Sequence, residues 1–418
     1  MGSRTRWHRF ARYAPWAVVL AVGAACAGTC WYVYSEPRAT TATPAGVTRF
    51  EVREVPLAFT PAPLPDAVPG PRLRFALQSV RPYFEIARTA NRVPVPHIIH
   101  ALRLWGVESE FPDLTFDLRV TPGFGGRRML ATLLEHDEFA RLSSYKSPGM
   151  LYTSPYGIQV VCAADPMYGA IDTSSHLGKL GQVCGEVGVP STHPVRTSDG
   201  ATGTVADILR DDAARIVSGA EIDFVVCGLC RYAASGAPWV NRFGQTCDFD
   251  QLARSLLSRS PADGACDGIA KYHALACLAR AADQTNLISP AIAADIRVRL
   301  TAVSRALEKC QKADGAWAWD WPQAEYPQAQ VQRMNYRNPL TGAYLVTGHH
   351  LEWMAIAPPE CRPNDESIQL ALTYLLRNWE AANDELLSDW RLYALFSHAA
   401  RAVWLFSGKQ SLAPYERG

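Results

Sequence analysis

Residues 267–317, DGIAKYHALACLARAADQTNLISPAIAADIRVRLTAVSRALEKCQKADGAW, decide the fold. Two helices of different character follow one another. Residues 267–282 are apolar nearly all round, whereas residues 290–311 carry one apolar stripe between charged positions. A helix with a single stripe lies on the outside of a domain, and one that is apolar all round is buried. Ser289-Pro290 supplies a cap followed by a first-turn proline. Ala313-Asp314-Gly315-Ala316 repeats Ala262-Asp263-Gly264-Ala265 from 51 residues earlier, with a glycine where the chain turns sharply from outer to inner helix.

The same alternation extends in both directions. Helix pairs are expected at 74–90 and 97–106, 127–142 and 174–188, 202–218 and 221–234, 248–259 and 267–282, 290–311 and 347–357, and 364–382 and 387–407. Asp248 and Asn364 are good N-cap residues for two of them. Six outer–inner pairs describe an all-α fold, an α/α toroid over residues 72–410. Residues 107–173, rich in Pro, Gly and Tyr, interrupt it as a long loop or small β excursion.

The chain has 418 residues, 48% of them apolar and 19% charged, with 41 Lys+Arg against 40 Asp+Glu. That composition excludes a mostly disordered chain. A net charge of +1 argues against a dedicated nucleic-acid binder. Residues 1–36 read as a basic cytoplasmic segment and membrane anchor. Arg4, Arg6, Arg9 and Arg12 precede the uncharged residues 14–34, which are long enough to span a bilayer. The basic flank places the N-terminus in the cytoplasm and the body outside it. A cleaved signal peptide ending at Ala25-Cys26-Ala27 and a lipoprotein at Cys26 are the rivals. Residues 37–71 hold eight prolines and read as a stiff spacer.

Leu307-x3-Gln311-x3-Gly315-x-Trp317 resembles the QW repeat of squalene and terpenoid cyclases. Their superfamily, which includes the protein prenyltransferases, has α/α-toroid domains, so the resemblance implies that fold. The cyclase acid motif is reduced to the fragment Asp248-Phe249-Asp250-Gln251, and the prenyltransferase zinc set is not recognisable. Gly348-His349-His350-Leu351-Glu352 is similar to the G-H-x-x-E segment of the N-acylglucosamine 2-epimerase family, and His398-Ala399-Ala400-Arg401 to its H-x-x-R element. In that family the His and Glu move a proton at a sugar carbon. Here only 49 residues separate His349 from His398, fewer than in the family.

His349 and Glu352, three apart on one helix face, are the candidate proton-transfer pair. Asp223 falls at the matching place in the repeat, as a second carboxylate facing the same cavity. The competing reading is that Asp223 and Glu352 each polarise their own helix N-terminus. Candidate binding residues are Trp317, Trp319, Tyr336 and Arg337 in an aromatic-rich loop, with His273, His350, His398 and Arg401 on inner helices. They suit a small molecule, a glycan or an isoprenoid. No cofactor or metal is expected. The lone Cys227-x-x-Cys230 would need two more ligands, with Cys266 and His273 as the spare residues. Three functions remain open: an enzyme on an envelope carbohydrate, an isoprenoid enzyme or lipid binder, and a non-catalytic scaffold.

A topology reporter fused at residue 200 is expected to read outside the cytoplasm; a cytoplasmic signal there would reject the anchor orientation.

Overall fold

An apolar helix stays buried only if neighbours cover it on every side, and six helices of this chain do so for one another. The computed structural model describes residues 49–64, 95–111, 126–142, 149–162, 176–217, 220–260, 263–266, 268–325, 339–382 and 392–408. In chain order come α1 (Val95–Trp105), α2 (Met129–Leu134), α3 (His136–Leu142), β1 (Leu151–Ser154), β2 (Gly157–Val160), α4 (Lys179–Glu186), β3 (Pro194–Arg196) and β4 (Thr202–Thr204). They are followed by α5 (Val205–Ala214), α6 (Asp223–Tyr232), β5 (Trp239–Val240), β6 (Thr246–Cys247), α7 (Phe249–Ser258), α8 (Ile269–Gln284) and α9 (Pro290–Cys310). The last are α10 (Pro322–Glu325), α11 (Pro339–Ile356), α12 (Asp365–Arg377) and α13 (Tyr393–Phe406). The protein is predominantly helical, and the six strands among the described residues pair as three antiparallel hairpins, β1–β2, β3–β4 and β5–β6.

The buried helices are α1, α4, α6, α8, α11 and α13. Each packs on the next in that order, and α13 packs back on α1, so the cycle of contacts closes. On the outside, α5 packs between α4 and α6, α7 between α6 and α8, α9 on α8, and α12 between α11 and α13, while α2 packs on α1 and α3 on α2. Capping follows the sequence. Asp248 accepts from the Gln251 N–H at 2.7 Å, Ser289 caps α9, and Asn364 accepts from the Ser367 N–H at 2.9 Å. Gly264 and Gly315 both have positive φ, +119° and +96°, as the expected sharp turns require.

The Gln311–Trp317 segment is a stitch. The Gln311 amide donates to the carbonyls of Gly315 (2.9 Å) and Ser367 (2.8 Å), joining the end of α9 to the start of α12. Trp317 is fully buried; its indole donates to the Leu307 carbonyl at 3.0 Å and its backbone N–H to Thr347 at 3.0 Å.

Three expectations need correction. Residues 202–204 are strand β4 instead of the start of a helix, because Thr202–Thr204 pair with Pro194–Arg196. Helix α11 starts at Pro339, eight residues before the expected 347, which changes the register of everything on it. Residues 49–64 are not a free spacer. Phe50 and Phe59 are buried, and the segment runs across the C-terminal ends of four inner helices. Its N–H groups at Arg53, Leu57, Ala62 and Leu64 donate to the carbonyls of Tyr232, Arg231, Ala355 and Phe406. Helix C-termini leave carbonyls without intrahelical partners, and this strap supplies the donors. The excursion at 107–173 contains α2, α3 and the β1–β2 hairpin among its described residues.

Among the described residues no helix is long and apolar enough to cross a membrane. Residues 14–34, the helix expected at 74–90, and Tyr336 and Arg337 lie outside the described residues. Contacts group the described residues as one unit.

Gly348 sets the distance between α11 and α13: a Cβ there would lie 2.8 Å from the Ala399 backbone nitrogen. A mid-helix Gly→Ala change would by itself gain up to about 1 kcal/mol. The obstacle is backbone that cannot swing aside, so overpacking at about 1–3 kcal/mol wins. Gly348→Ala is therefore expected to lower the urea midpoint; a raised midpoint would refute the close-packed α11–α13 contact.

Candidate functional site

Charged residues on apolar helices must be paired when buried, and here they meet at one place. Glu186, the last residue of α4, accepts from Arg103 of α1 at 2.6 Å, from Arg401 of α13 at 3.1 Å, from Gln182 at 2.7 Å and from His273 of α8 at 3.1 Å. Glu352 of α11 accepts from Arg401 at 3.1 Å and from His398 Nδ1 at 2.7 Å, with Arg103 at 3.5 Å. Two carboxylates and two guanidinium groups thus alternate around a square, and each guanidinium touches both carboxylates. All four are buried. Burial opposes ionisation of both carboxyls, but the arginines hold Glu186 and Glu352 well below the usual carboxylate range.

Besides His273, three more imidazoles gather at the square. The His349 ring stacks on His398 with centroids 3.6 Å apart, and His100 meets His398 edge-on at 4.5 Å. Burial, reinforced by the neighbouring His398, pushes His349 well below the ordinary imidazole value. Burial also pulls His398 down to about 4 against the opposing pull of Glu352. His398 is therefore neutral at pH 7, and since a carboxylate only accepts, its Nδ1 carries the proton. Nε2 is left with a lone pair.

Lys179, the first residue of α4, completes the group. Its amine lies 4.0 Å over the Phe224 ring, and burial followed by repulsion from Arg103 lowers it to about 8. A small, partly open cavity of about 20 Å3 is lined by Lys179, Arg103, His273, His349, Glu352 and His398, among others. The first-turn residues Phe224, Ile269 and Ala270 also line it. Two larger clefts, of about 680 and 960 Å3, are open grooves on the surface away from these charges.

His349, Glu352, His273 and His398 line one cavity, and Arg401 lies beside it, paired with Glu352 at 3.1 Å. The 49 residues that separate His349 from His398 in sequence span one outer helix, so the two elements end side by side on α11 and α13. The nearest imidazole to Glu352 is His398, however, with His349 Nδ1 at 3.7 Å. Asp223 does not face Glu352. It is fully buried against Arg259, which donates to it. Asp223 opens α6, whereas Glu352 lies well inside α11 because that helix starts early, so the two registers do not correspond. His350 points into the core. Its Nδ1 accepts from the Trp353 indole at 3.0 Å, and Trp321 meets its ring edge-on at 4.6 Å. Trp317 belongs to the stitch between α9 and α12, and half-buried Trp319 packs on the core. Sequence reasoning missed Glu186, Arg103, Lys179 and His100; the signal available was charge on otherwise apolar helices such as HIIHALRLW and KLGQVCGE.

His349, Glu352 and His398 bring ligand-type atoms within 4.8 Å of one another. Arg103, Arg401 and Lys179 surround the same carboxylate, so a dication there would face three cationic groups. The arrangement favours proton transfer and anion binding over metal binding. No protein-family model, no curated protein and no solved structure matches the chain.

Removing one partner of the square strands a buried charge. Glu186→Gln is expected to cost about 3–5 kcal/mol in urea unfolding; a loss within ~0.5 kcal/mol of wild type would refute the square as a structural unit. For His398 the folded value of about 4 lies below the unfolded value of ~6.5. The unfolded chain then binds more protons in that window, so stability falls as pH drops from ~6.5 toward 4. His398→Gln should flatten that slope; an unchanged slope would contradict a neutral buried His398.

Proposed function

We propose that the chain is a membrane-anchored α/α-toroid enzyme, its body outside the cytoplasm, that moves a proton on a small anionic sugar or related envelope molecule. The closed cycle of six buried helices with amphipathic helices outside it supports the toroid reading. The arginine-flanked, uncharged residues 14–34 support the anchor and its orientation.

The observation that carries the chemistry is the 2.7 Å bond between His398 and Glu352 in a cavity shared with His349 and Lys179. The carboxylate fixes the His398 tautomer and stabilises the imidazolium formed when Nε2 takes a proton. His349, in ring contact with His398, is the second proton carrier. Lys179 and Arg103 offer charge to a carboxylate or phosphate on the ligand. A lining of cations, imidazoles and one carboxylate suits such a ligand better than an isoprenoid, which needs apolar walls. The small cavity favours a second reading, a non-catalytic clamp, since about 20 Å3 holds roughly one water.

Full-length protein in detergent, incubated in deuterium oxide with uronates, N-acylated amino sugars and neutral hexoses, is expected to label one carbon of an acidic sugar. His398→Gln should slow that exchange by about 100-fold or more. Affinity for the acidic sugar should weaken as pH rises through about 8, where Lys179 loses its charge. Absence of exchange into every sugar supports the clamp and sinks the enzyme reading.

A further inference from the structure

We propose that Cys227, Cys230, His273 and Cys277 form a closed, tetrahedral zinc(II) site that clamps α6 to α8. The inference is independent of the proton-transfer reading, because it concerns different donors and is tested by metal content.

The four residues follow two ligand spacings on adjacent buried helices. Cys227 and Cys230 are three apart on α6, and His273 and Cys277 are four apart on α8. Each spacing places its two side chains on one helix face. The ligand atoms of Cys227, His273 and Cys277 lie within 4.8 Å of one another, and the Cys230 side chain hydrogen-bonds Cys277. A tetrahedron with Zn–S near 2.3 Å has edges of about 3.7 Å; Cys227, His273 and Cys277 already lie within 4.8 Å of one another, and Cys230, whose thiol donates to the Cys227 carbonyl at 3.6 Å, would turn further toward Cys277 to complete the set. Cys266, the spare ligand expected from the sequence, is not among the donors brought together; Cys277 takes that place because α8 lies beside α6.

A further feature points to a cation. His273 Nε2 lies 3.1 Å from Glu186. A carboxylate there accepts the Nε2 proton and leaves Nδ1 as the ligating nitrogen, the carboxylate–histidine–metal arrangement that orients ligands in zinc sites. With four protein donors no position is left for water, so the site is structural. Binding exchanges the thiol protons for the metal.

The test uses the full chain, produced with zinc in the medium and passed through a chelating buffer. One zinc ion per chain is expected by elemental analysis, released in step with titration of three thiols by an organomercurial. Cobalt(II) exchanged into the site should give the strong visible bands of tetrahedral thiolate coordination. Cys277→Ser should lose the metal, and Cys184→Ser, a buried thiol outside the set, should retain it. If Cys277→Ser does not fold, the wild-type zinc content and thiol titration still decide. Absence of stoichiometric zinc, iron in its place, or a disulfide joining any two of the three cysteines overturns the site.

Discussion

Four buried charges from four different helices hold the centre of this protein. Arg103 on α1, Glu186 on α4, Glu352 on α11 and Arg401 on α13 alternate in sign, and each touches both of its opposites. Taking an ion out of water costs several kcal/mol, and attraction offsets that cost only when geometry is good and the remaining lone pairs are satisfied. Here Gln182, His273 and His398 satisfy them. A square of this kind confers little net stability over a well-packed apolar core, but it tolerates no missing member. The helices must therefore arrive in one register, and Gly348 is small where α11 must approach α13 closely enough for that register to be reached.

The two ends of the inner helices are treated differently. At the C-terminal end the strap 49–64 donates backbone hydrogen bonds to carbonyls that the helices leave unpaired, and Arg280 and Arg362 bind the strap's own carbonyls. At the N-terminal end of α4, α6 and α8, Lys179, Phe224, Ile269 and Ala270 line the small cavity. Unpaired N–H groups and the helix dipoles favour negative charge at that end. The cavity's polarity follows from this asymmetry as much as from its charged side chains.

Helix content, the alternation of outer and inner helices, and the caps at Asp248, Ser289 and Asn364 were legible because periodicity and capping are local properties. The meeting of His349 and Glu352 with His398 and Arg401 was legible only as paired motifs. Glu186 was not: a single Glu at the end of KLGQVCGE looks like any solvated helix terminus until α1 and α13 bring arginines to it. The Asp223–Glu352 equivalence failed because it assumed that α11 begins at 347; Asn338-Pro339, a cap-type residue before a first-turn proline as at Ser289-Pro290, was the local signal of the earlier start. The strap was misread for a related reason. Prolines signal an extended chain, but whether that chain is free or docked depends on the carbonyls waiting at the far ends of helices distant in sequence.

The square also does something to the imidazoles at its edge. Each carboxylate receives guanidinium groups on one side and one imidazole N–H on another. Glu352 accepts a hydrogen bond from Nδ1–H of His398, and Glu186 sits on Nε2 of His273. A carboxylate that stays ionised fixes the tautomer of its imidazole and raises the basicity of the opposite nitrogen. The two rings are thereby polarised through opposite nitrogens: His398 through Nε2 and His273 through Nδ1. Only strongly held carboxylates can do this, since a carboxyl that took up a proton would release the ring. The arginines that stabilise the square are thus also what keeps both imidazoles in a defined state, so the proposed proton-transfer site and the proposed metal site would share one buried electrostatic core without competing for the same lone pair.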